Sequence, residues 1–315
     1  MTEPAPQSPS DTDTDAGPIR WPAEAIWEAV YPLLPGFTVE VLPSIDSSNS
    51  ELMRRLRGQP GHAAQSEPVL LVAETQTAGR GRLGRAWHSR RGDSLMFSLS
   101  LPFAPVDWSG LSLVVGISIA ETLDAMVAQS GGTARPHGSA RIRLKWPNDL
   151  WLSTPAGDRK LAGILVETAN GASGSGTRHV VIGAGINIRA PEATAADPQA
   201  VAPSVPAGGL QDVWPEACAA DVLGRIVPPL VQALQAFEQF GFAPFQSRFA
   251  ARDALAGRDV KLSDGTTGSA HGVGEDGALL VHTEGGMKQI TSSEVSVRPM
   301  PLSTGVANVS GGAAC

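Results

Sequence analysis

The chain has 315 residues, enough for one large and one small domain, and 42% of them are hydrophobic, as in an ordinary globular protein. Its formal net charge of −7 argues against a protein whose main task is to grip nucleic acid, because phosphate contacts need a basic surface. Cys218 and Cys315 are too few and too far apart for a disulfide framework, which favours a reducing, cytoplasmic location.

The first predicted elements follow a Pro-, Ser-, Asp- and Thr-rich tail at 1–20, which should be disordered and lacks the apolar core of a signal peptide. Short helices and strands are then predicted at 21–34, 37–42, 50–56, 69–74 and 94–101. The clearest helix is predicted over 111–129, where apolar residues recur at helical spacing until Gly131-Gly132. Its apolar stretch, 111–120, is too short to span a bilayer, so no membrane is expected.

The second half of the chain is predicted to contain strands, then helices, and finally a run of short strands joined by tight turns. Strands are predicted at 142–145, 161–167 and 180–188, and the last of these offers an edge that could pair with a second copy. Residues 215–256 should be mostly helical. From Gly257, short strands joined by Asp-Gly and Glu-Gly turns predict a small closed barrel, followed by a disordered tail at 301–315.

A Gly/Arg-rich loop at 79–87 is the first candidate for chemistry. Its glycines match G-x-G-x-x-G, but no helix opens there, so we reject a dinucleotide site. Glycines let a backbone approach a ligand, while Arg80, Arg82 and Arg85 can hold carboxylate or phosphate oxygens. The pattern predicts a flexible loop that folds over an anion. A solvated basic turn or an RNA contact is the alternative.

Two lysines lie at predicted strand ends. Lys145 precedes a Pro-Asn-Asp turn that brings it near Asn148 and Asp149, and this carboxylate could help to hold Mg²⁺ on a nucleotide. An ordinary turn is the alternative. Lys160 begins an apolar strand, where a lysine either snorkels from the edge or points its cation into a site.

Small and polar residues form two further candidates. Gly163 and the segment 183–187, which reads Gly-Ala-Gly-Ile-Asn, allow close approach of a ligand to strands. Asp46-Ser-Ser-Asn49 precedes a helix, and its side chains could either cap that helix or bind a polar ring. The histidines show no metal-ligand spacing, and the sequence has no G-x-S-x-G elbow.

In this order, the segments resemble the biotin–protein ligase family. The segments are Ile45–Asn49, Gln76–Trp87, Lys145–Leu150, Lys160–Glu167 and Gly183–Asn187. The resemblance runs from about residue 38 to 298 and implies an α+β fold, with a mixed β-sheet catalytic domain of the biotin/lipoate ligase type and a small C-terminal SH3-like β-barrel. We place the catalytic domain at 21–256 and the barrel at 257–300.

The resemblance also implies a two-step reaction. The carboxylate of biotin attacks the α-phosphate of Mg-ATP to give biotinyl-5'-AMP, and a lysine of the biotin carboxyl carrier protein of acetyl-CoA carboxylase then takes the biotin. ATP and Mg²⁺ are therefore the expected cofactors and biotin is the substrate. The protein should be a monomer or homodimer.

Site residues are carried over by the same resemblance. The catalytic residues implied are Lys160, Arg82 and Arg80. The biotin-binding residues implied are Ser47, Ser48, Asn49, Gln76, Gly79, Arg80, Gly81, Arg82, Lys160 and Gly163. The ATP-binding residues implied are Arg85, Trp87, Lys145, Asn148, Asp149 and Asn187, with Asp149 also near Mg²⁺. Two positions depart from the family pattern, since Ser48 replaces a threonine and Leu83 a frequently basic residue.

Two alternatives remain open. A lipoate ligase shares the fold and the adenylate chemistry, but it should lack the arginine loop and the terminal barrel. A biotin-sensing transcriptional repressor would need a helix-turn-helix module, for which the roughly 40 residues before the first motif are too few. No DNA partner is therefore expected. A biotin-binding protein without ligase activity is the other form of this alternative, and Lys160 and the arginine loop argue against it.

Overall fold

The computed structural model describes residues 17–58, 66–130, 142–154, 156–170, 178–191, 205–291 and 297–300. Most of the expected N-terminal tail and the whole of the tail at 301–315 lie outside these ranges.

Seven strands form a mixed sheet in the order β1-β2-β3-β7-β6-β5-β4. The strands are β1 Thr38–Leu42, β2 Val69–Ala73, β3 Ser94–Pro102, β4 Ile142–Lys145, β5 Asp149–Thr154, β6 Gly157–Asn170 and β7 Arg178–Asn187. β1 and β2 are parallel, and every other neighbouring pair is antiparallel. The predicted mixed sheet is confirmed.

Two expectations about strands were wrong. The predicted exposed edge near 180–188 is β7, which lies in the middle of the sheet because β3 and β6 both pair with it along its length. Residues 149–154 were not predicted as a strand, yet they form β5 directly after the turn at Pro147-Asn148. β1 and β4 are the outer strands.

The helices cover both faces of the sheet. They are α1 Ala23–Val30, α2 Ser48–Arg57, α3 Leu111–Gln129, α4 Ala219–Phe240 and α5 Gln246–Ala250. The larger core lies between α1, α3, α4 and one face, where Leu70 and Ile182 are buried. α2 packs on the opposite face against Leu71 and Val181. The alternation of side chains along β2 and β7 thus separates two hydrophobic layers.

α3 is the core helix of the larger layer. Unlike its apolar stretch at 111–120, the whole helix has the length, 19 residues, and the mean hydropathy, 1.7, of a segment that could cross a bilayer. However, 67% of this segment is buried inside the structure, against α4 and the sheet. Burial by protein therefore accounts for its apolar character.

The C-terminal strands form a separate antiparallel sheet in the order β11-β10-β9-β8-β12. They are β8 Asp259–Leu262, β9 Thr267–Val273, β10 Leu279–Thr283, β11 Gly286–Ile290 and β12 Val297–Pro299. The sheet is consistent with a small SH3-like domain. The expected closure into a barrel is not observed, since β11 and β12 do not pair within the described residues.

The C-terminal sheet meets the rest of the structure through polar contacts, one of which is fully buried. The indole nitrogen of Trp146 donates to the carbonyl of Gly277 at 3.0 Å, and the amide of Gln246 donates to the carbonyl of Val273 at 2.8 Å. Arg258 forms an ion pair of 2.7 Å with Asp158. Through Trp146, the turn at 145–149 is thereby fixed against the C-terminal domain.

Candidate functional site

The candidate site lies on the face of the sheet that carries α2, where the start of that helix meets the segment after β2. Ser47 caps α2, and its hydroxyl accepts from the backbone N–H of Ser50 at 3.4 Å. The backbone N–H of Ser48 donates to Oε1 of Gln76 at 2.7 Å, and the hydroxyl of Ser48 lies within donating distance of the same oxygen, at 3.2 Å. Two segments predicted to bind one ligand are thus side by side.

Two residues without a predicted role complete this polar cluster. The hydroxyl of Ser98, on β3, lies 2.8 Å from Oγ of Ser48 and 2.5 Å from Oδ1 of Asn49. The amide nitrogen of Asn49 donates to the carbonyl of Leu165 at 3.3 Å and to Glu167 at 3.0 Å. All atoms of the Asn49 amide therefore have protein partners, and the residue supports the site from beneath.

Three glycines of β6 and β7 form a flat floor, which explains their positions in the sequence. A Cβ on Gly183 would collide with the amide of Asn49. A Cβ on Gly185 would lie 2.6 Å from the indole of Trp87, and one on Gly163 would lie 3.3 Å from it. The glycines do allow a close approach, but the groups that approach are the side chains of Asn49 and Trp87. The predicted approach of a ligand stays a prediction.

The Gly/Arg-rich segment is a hairpin rather than an open loop. The backbone N–H of Trp87 donates to the carbonyl of Gly79 at 2.8 Å, and that of Gly81 donates to the carbonyl of Arg85 at 2.7 Å. At its tip, Leu83 has φ 56 in a short 3-10 turn and its side chain is 58% exposed. This hairpin places Trp87 on the glycine floor.

Two arginines of the hairpin reach different parts of the site. Arg80 contacts the hydroxyl of Ser50 at 3.2 Å and the carboxylate of Glu167 at 3.4 Å. Arg82 donates to Oδ1 of Asn148 at 3.4 Å, and burial lowers the pKa of its guanidinium below the usual range. The hairpin thus bridges α2, β6 and the turn after β4.

Lys160 lies at the centre of the charged half of the site. Its ammonium forms a 2.7 Å ion pair with Asp149 and lies 5.9 Å from the centre of the Trp87 ring. Lys160 pairs with Trp151 of β5, two positions from Asp149, so the pairing of β5 with β6 places the two charged residues near each other. Sequence reasoning placed both residues in the site, and the structure brings them into contact.

Lys145 is the most deeply buried cation of this half, with 6% exposure. Burial and repulsion from three neighbouring cations lower the pKa of its ammonium to about 8, although the charge of Asp149 acts in the opposite direction. The three cations are Lys160, Arg82 and Arg85. Such a group of cations around one carboxylate is suited to an anionic ligand.

Asn187 has a supporting position at the end of β7. Its amide nitrogen donates to the carbonyl of Gly208 at 3.0 Å and to that of Lys160 at 3.4 Å. The backbone of Lys160 also pairs with Pro206 and Gly208. Asn187 therefore helps to hold the start of β6, and the predicted contact with a nucleotide is untested.

Comparison with known families gives two matches in chain order. The profile of the biotin/lipoate A/B protein ligase family matches residues 41–187. The profile of the biotin protein ligase C-terminal domain matches residues 257–298. Both matches coincide with the two sheets of the structure.

Individual relatives support the same grouping. The bifunctional ligase/repressor BirA of Escherichia coli is 38% identical over 273 residues, which cover 84% of this chain and 75% of the relative. The biotin–[acetyl-CoA-carboxylase] ligase of Paracoccus denitrificans is 31% identical over 264 residues, covering 81% of this chain and 98% of the relative. The biotin protein ligase of Aquifex aeolicus, solved in complex with biotin and ATP, superposes with a TM-score of 0.63 at 27% identity, over 83% of this chain and 99% of that one.

Proposed function

The chain belongs to the biotin/lipoate A/B protein ligase family and is an ATP-dependent biotin–protein ligase, and we propose that it works in two steps. In the first step the carboxylate of biotin attacks the α-phosphate of ATP, and pyrophosphate leaves as biotinyl-AMP forms. In the second step the ε-amine of a carrier lysine attacks the carbonyl carbon of this anhydride. An amide bond forms, the amine loses a proton, and AMP leaves.

One observation carries this assignment of the site, namely a cation cluster beside a neutral polar cluster on one face of the sheet. Lys160 belongs to the cation cluster, and its ammonium contacts Asp149 at 2.7 Å. A phosphate placed there would compete with Asp149 for the ammonium. Lys160 then offsets the negative charge that grows on the reacting α-phosphate.

The polar cluster is assigned to the ring end of biotin. Ser47, Ser48 and Gln76 supply the hydrogen-bonding groups, and Asn49 supports them from beneath. The hairpin residues Gly79 to Arg82 cover this end of the site. Closure of the hairpin over the adenylate would exclude water and limit its hydrolysis.

The charged half is assigned to the nucleotide. Lys145, Arg82 and Arg85 lie near Asp149 and favour the binding of phosphates through their charge. Asn148 is positioned by its bond to the carbonyl of Ile164 at 2.8 Å. Trp87 packs on the glycine floor and is assigned to contact with adenine.

Mg²⁺ fits this half of the site as a partner of the nucleotide. Among the described residues no group of three or more His, Cys, Asp or Glu side chains could hold a metal, and Asp149 is the carboxylate at this place. Mg²⁺ commonly binds through one or two carboxylates together with substrate phosphates. Bound in this way, it would neutralise phosphate charge, while Lys160 and Lys145 act on the remaining oxygens.

The proposed acceptor is the biotin carboxyl carrier protein of acetyl-CoA carboxylase, in the cytoplasm. The name of the Paracoccus relative supports this acceptor. The alternative is a biotin-binding regulator without ligase activity, and the intact cation cluster around Asp149 favours the ligase.

The test is transfer of biotin to a purified carrier domain with biotin and Mg-ATP, followed by intact mass. We expect one biotinyl group per carrier, lost when ATP is omitted or when the acceptor lysine of the carrier is replaced by arginine. Biotin binding without transfer would favour the regulator. Transfer of lipoate in place of biotin would indicate the other branch of the family.

A further inference from the structure

We propose that Ser98 is a positioning residue that fixes the direction of the hydrogen bonds in the biotin pocket, and thereby its specificity for a ureido ring. This inference rests on the proposed function, because it assigns the ligand cluster of Ser47, Ser48 and Gln76 to biotin. Ser98 is fully buried in β3 and touches both Ser48 and Asn49.

The direction is set first at Asn49. A backbone carbonyl can only accept a hydrogen bond, so the side-chain group that faces the carbonyl of Leu165 must be the NH₂ group. Glu167 lies on the same side at 3.0 Å and accepts the second hydrogen. The carbonyl oxygen of the Asn49 amide therefore faces Ser98.

A serine hydroxyl has one hydrogen, and this decides the next two bonds. Because Oδ1 of Asn49 can only accept, Ser98 donates its hydrogen there, at 2.5 Å. Ser98 can then only accept from Ser48, at 2.8 Å. The hydrogen of Ser48 has a second acceptor, Oε1 of Gln76 at 3.2 Å, but the shorter 2.8 Å contact directs it to Ser98. The oxygen of Ser48 is left as an acceptor.

The neighbouring groups are fixed in the same way. The backbone N–H of Ser48 donates to Gln76, so the amide oxygen of Gln76 faces Ser48 and its NH₂ group is a donor for a ligand. The oxygen of Ser47 accepts from Ser50, which leaves the hydrogen of Ser47 for a ligand. The cluster therefore presents one acceptor, at Ser48, beside two donors.

This arrangement is complementary to the ureido ring of biotin. A ureido N–H can donate to Ser48 while the ring carbonyl accepts from Gln76. If oxygen replaces the N–H, as in a cyclic carbamate, two acceptors would face each other at Ser48. A site built to bind an N–H discriminates strongly against an analogue that lacks it, because its own polar group is left unpaired.

The experiment compares the equilibrium dissociation constants of biotin and of its two cyclic carbamate analogues, measured by titration calorimetry without nucleotide. Ser98→Ala removes the nearer acceptor of the Ser48 hydrogen and leaves only the longer 3.2 Å contact with Gln76, so the hydrogen can rotate towards the ring oxygen of the carbamate. We expect the preference for biotin over at least one carbamate to fall by about tenfold or more relative to the unmodified protein. Ser98→Thr keeps the hydroxyl and should restore the preference.

Ser100→Ala is the matched control. Ser100 is also buried, lies two positions along on the same face of β3, and is outside the chain of hydrogen bonds. Its preference should equal that of the unmodified protein. If Ser98→Ala does not fold, Ser98→Cys fills the same space with a weaker donor and should give an intermediate preference.

An unchanged preference in a folded Ser98→Ala or Ser98→Cys variant, with biotin merely bound more weakly, would reduce Ser98 to a structural residue and overturn the proposal. Failure of the unmodified protein to bind biotin would instead contradict the proposed function. Transfer of biotin to the carrier by the unmodified protein separates these two results.

Discussion

Lys160 is held by contacts that a substrate can replace. Its 2.7 Å ion pair with Asp149 satisfies the ammonium before a ligand binds, and the ring of Trp87 lies beside it. An arriving phosphate exchanges one anionic partner for another, so the lysine is not left unpaired in a half-buried place.

Replacement of Lys160 should affect chemistry far more than folding. We expect Lys160→Ala to slow formation of biotinyl-AMP by about 10²–10³-fold, the usual effect of removing one group that stabilises charge in the transition state. The measurement is biotin-dependent exchange between ATP and labelled pyrophosphate. Lys261→Ala, an exposed change in β8, is the control. A normal exchange rate in Lys160→Ala would refute the catalytic assignment.

The burial of Lys145 predicts a gain in stability when its charge is removed. The pKa of its ammonium is about 8 in the folded protein, against 10.5 for an unperturbed lysine, so the unfolded chain binds more protons between these values. The free-energy cost of burying the charged ammonium is complete below pH 8 and declines as the pH rises towards 10.5. Lys145→Met should therefore increase the free energy of unfolding at pH 7 by on the order of 1–3 kcal/mol.

Urea unfolding at pH 7 and pH 9.5 tests the sign, since the advantage of Lys145→Met should shrink at the higher pH. A higher pH should weaken nucleotide binding while it lowers the cost of burying Lys145. Because the charged lysine is proposed to attract phosphate, kcat/KM for ATP should fall as the pH rises through about 8. In Lys145→Met this part of the pH profile should be absent.

At the scale of the elements, glycines of β6 and β7 form the surface on which Trp87 packs. Gly185 and Gly163 lie under the same indole, but at different distances from it. Strand pairing places them opposite each other, so the floor is a property of the register between two strands. The hairpin lies above this floor through Trp87.

Alanine substitutions in the floor should therefore have graded effects. Gly185→Ala would bring Cβ within 2.6 Å of the Trp87 ring and should cost about 1–3 kcal/mol or displace the ring. Gly163→Ala, with 3.3 Å to the ring, should be milder. Urea unfolding and KM for ATP measure the two consequences. Equal effects of both substitutions would show that contact with Trp87 is not the cause.

Elements with a strong local signal could be predicted from the sequence. The apolar spacing predicts a helix over 111–129, and α3 has these bounds. β5 was missed because Pro147 and Asn148 indicate a turn, whereas pairing with β4 and β6 makes the following residues a strand. Local propensity contains no information about such partners.

The site shows the same limit. The motifs could predict Ser48, Gln76, Lys160 and Asp149 as neighbours only through the family resemblance. Ser98 could not be predicted, because a serine in an apolar strand gives no local signal and its partners lie 49 and 50 residues away. Only the arrangement of β3 beneath α2 shows why a polar residue is buried there.

At the scale of the whole molecule, the turn after β4 connects catalysis to the C-terminal domain. Lys145 and Asn148 flank Trp146 and Pro147, and the buried Trp146 donates to the carbonyl of Gly277. The same short segment thus serves the nucleotide half of the site and the junction between the two sheets.

Loss of this bond should weaken the junction. Trp146→Phe keeps most of the apolar contact but leaves the carbonyl of Gly277 without this donor, so we expect a loss of about 1–3 kcal/mol in the free energy of unfolding. Urea unfolding followed by circular dichroism measures it. Trp27→Phe is a control, because Trp27 also donates its indole hydrogen to a backbone carbonyl, but its side chain lies on the exposed side of α1. A larger loss in Trp27→Phe would contradict the importance of the junction.

The polar chain through Ser98 has a consequence for protein design. Its members belong to α2, β3, β6 and the segment after β2, and Asn49 and Glu167 are 118 positions apart in sequence. No short continuous peptide from this chain contains all residues of the pocket. Transplanting the motif residues alone would leave the directions of their hydrogen bonds unfixed. A scaffold intended to display this binding site must reproduce the buried serine and its acceptors as well as the groups that touch the ligand.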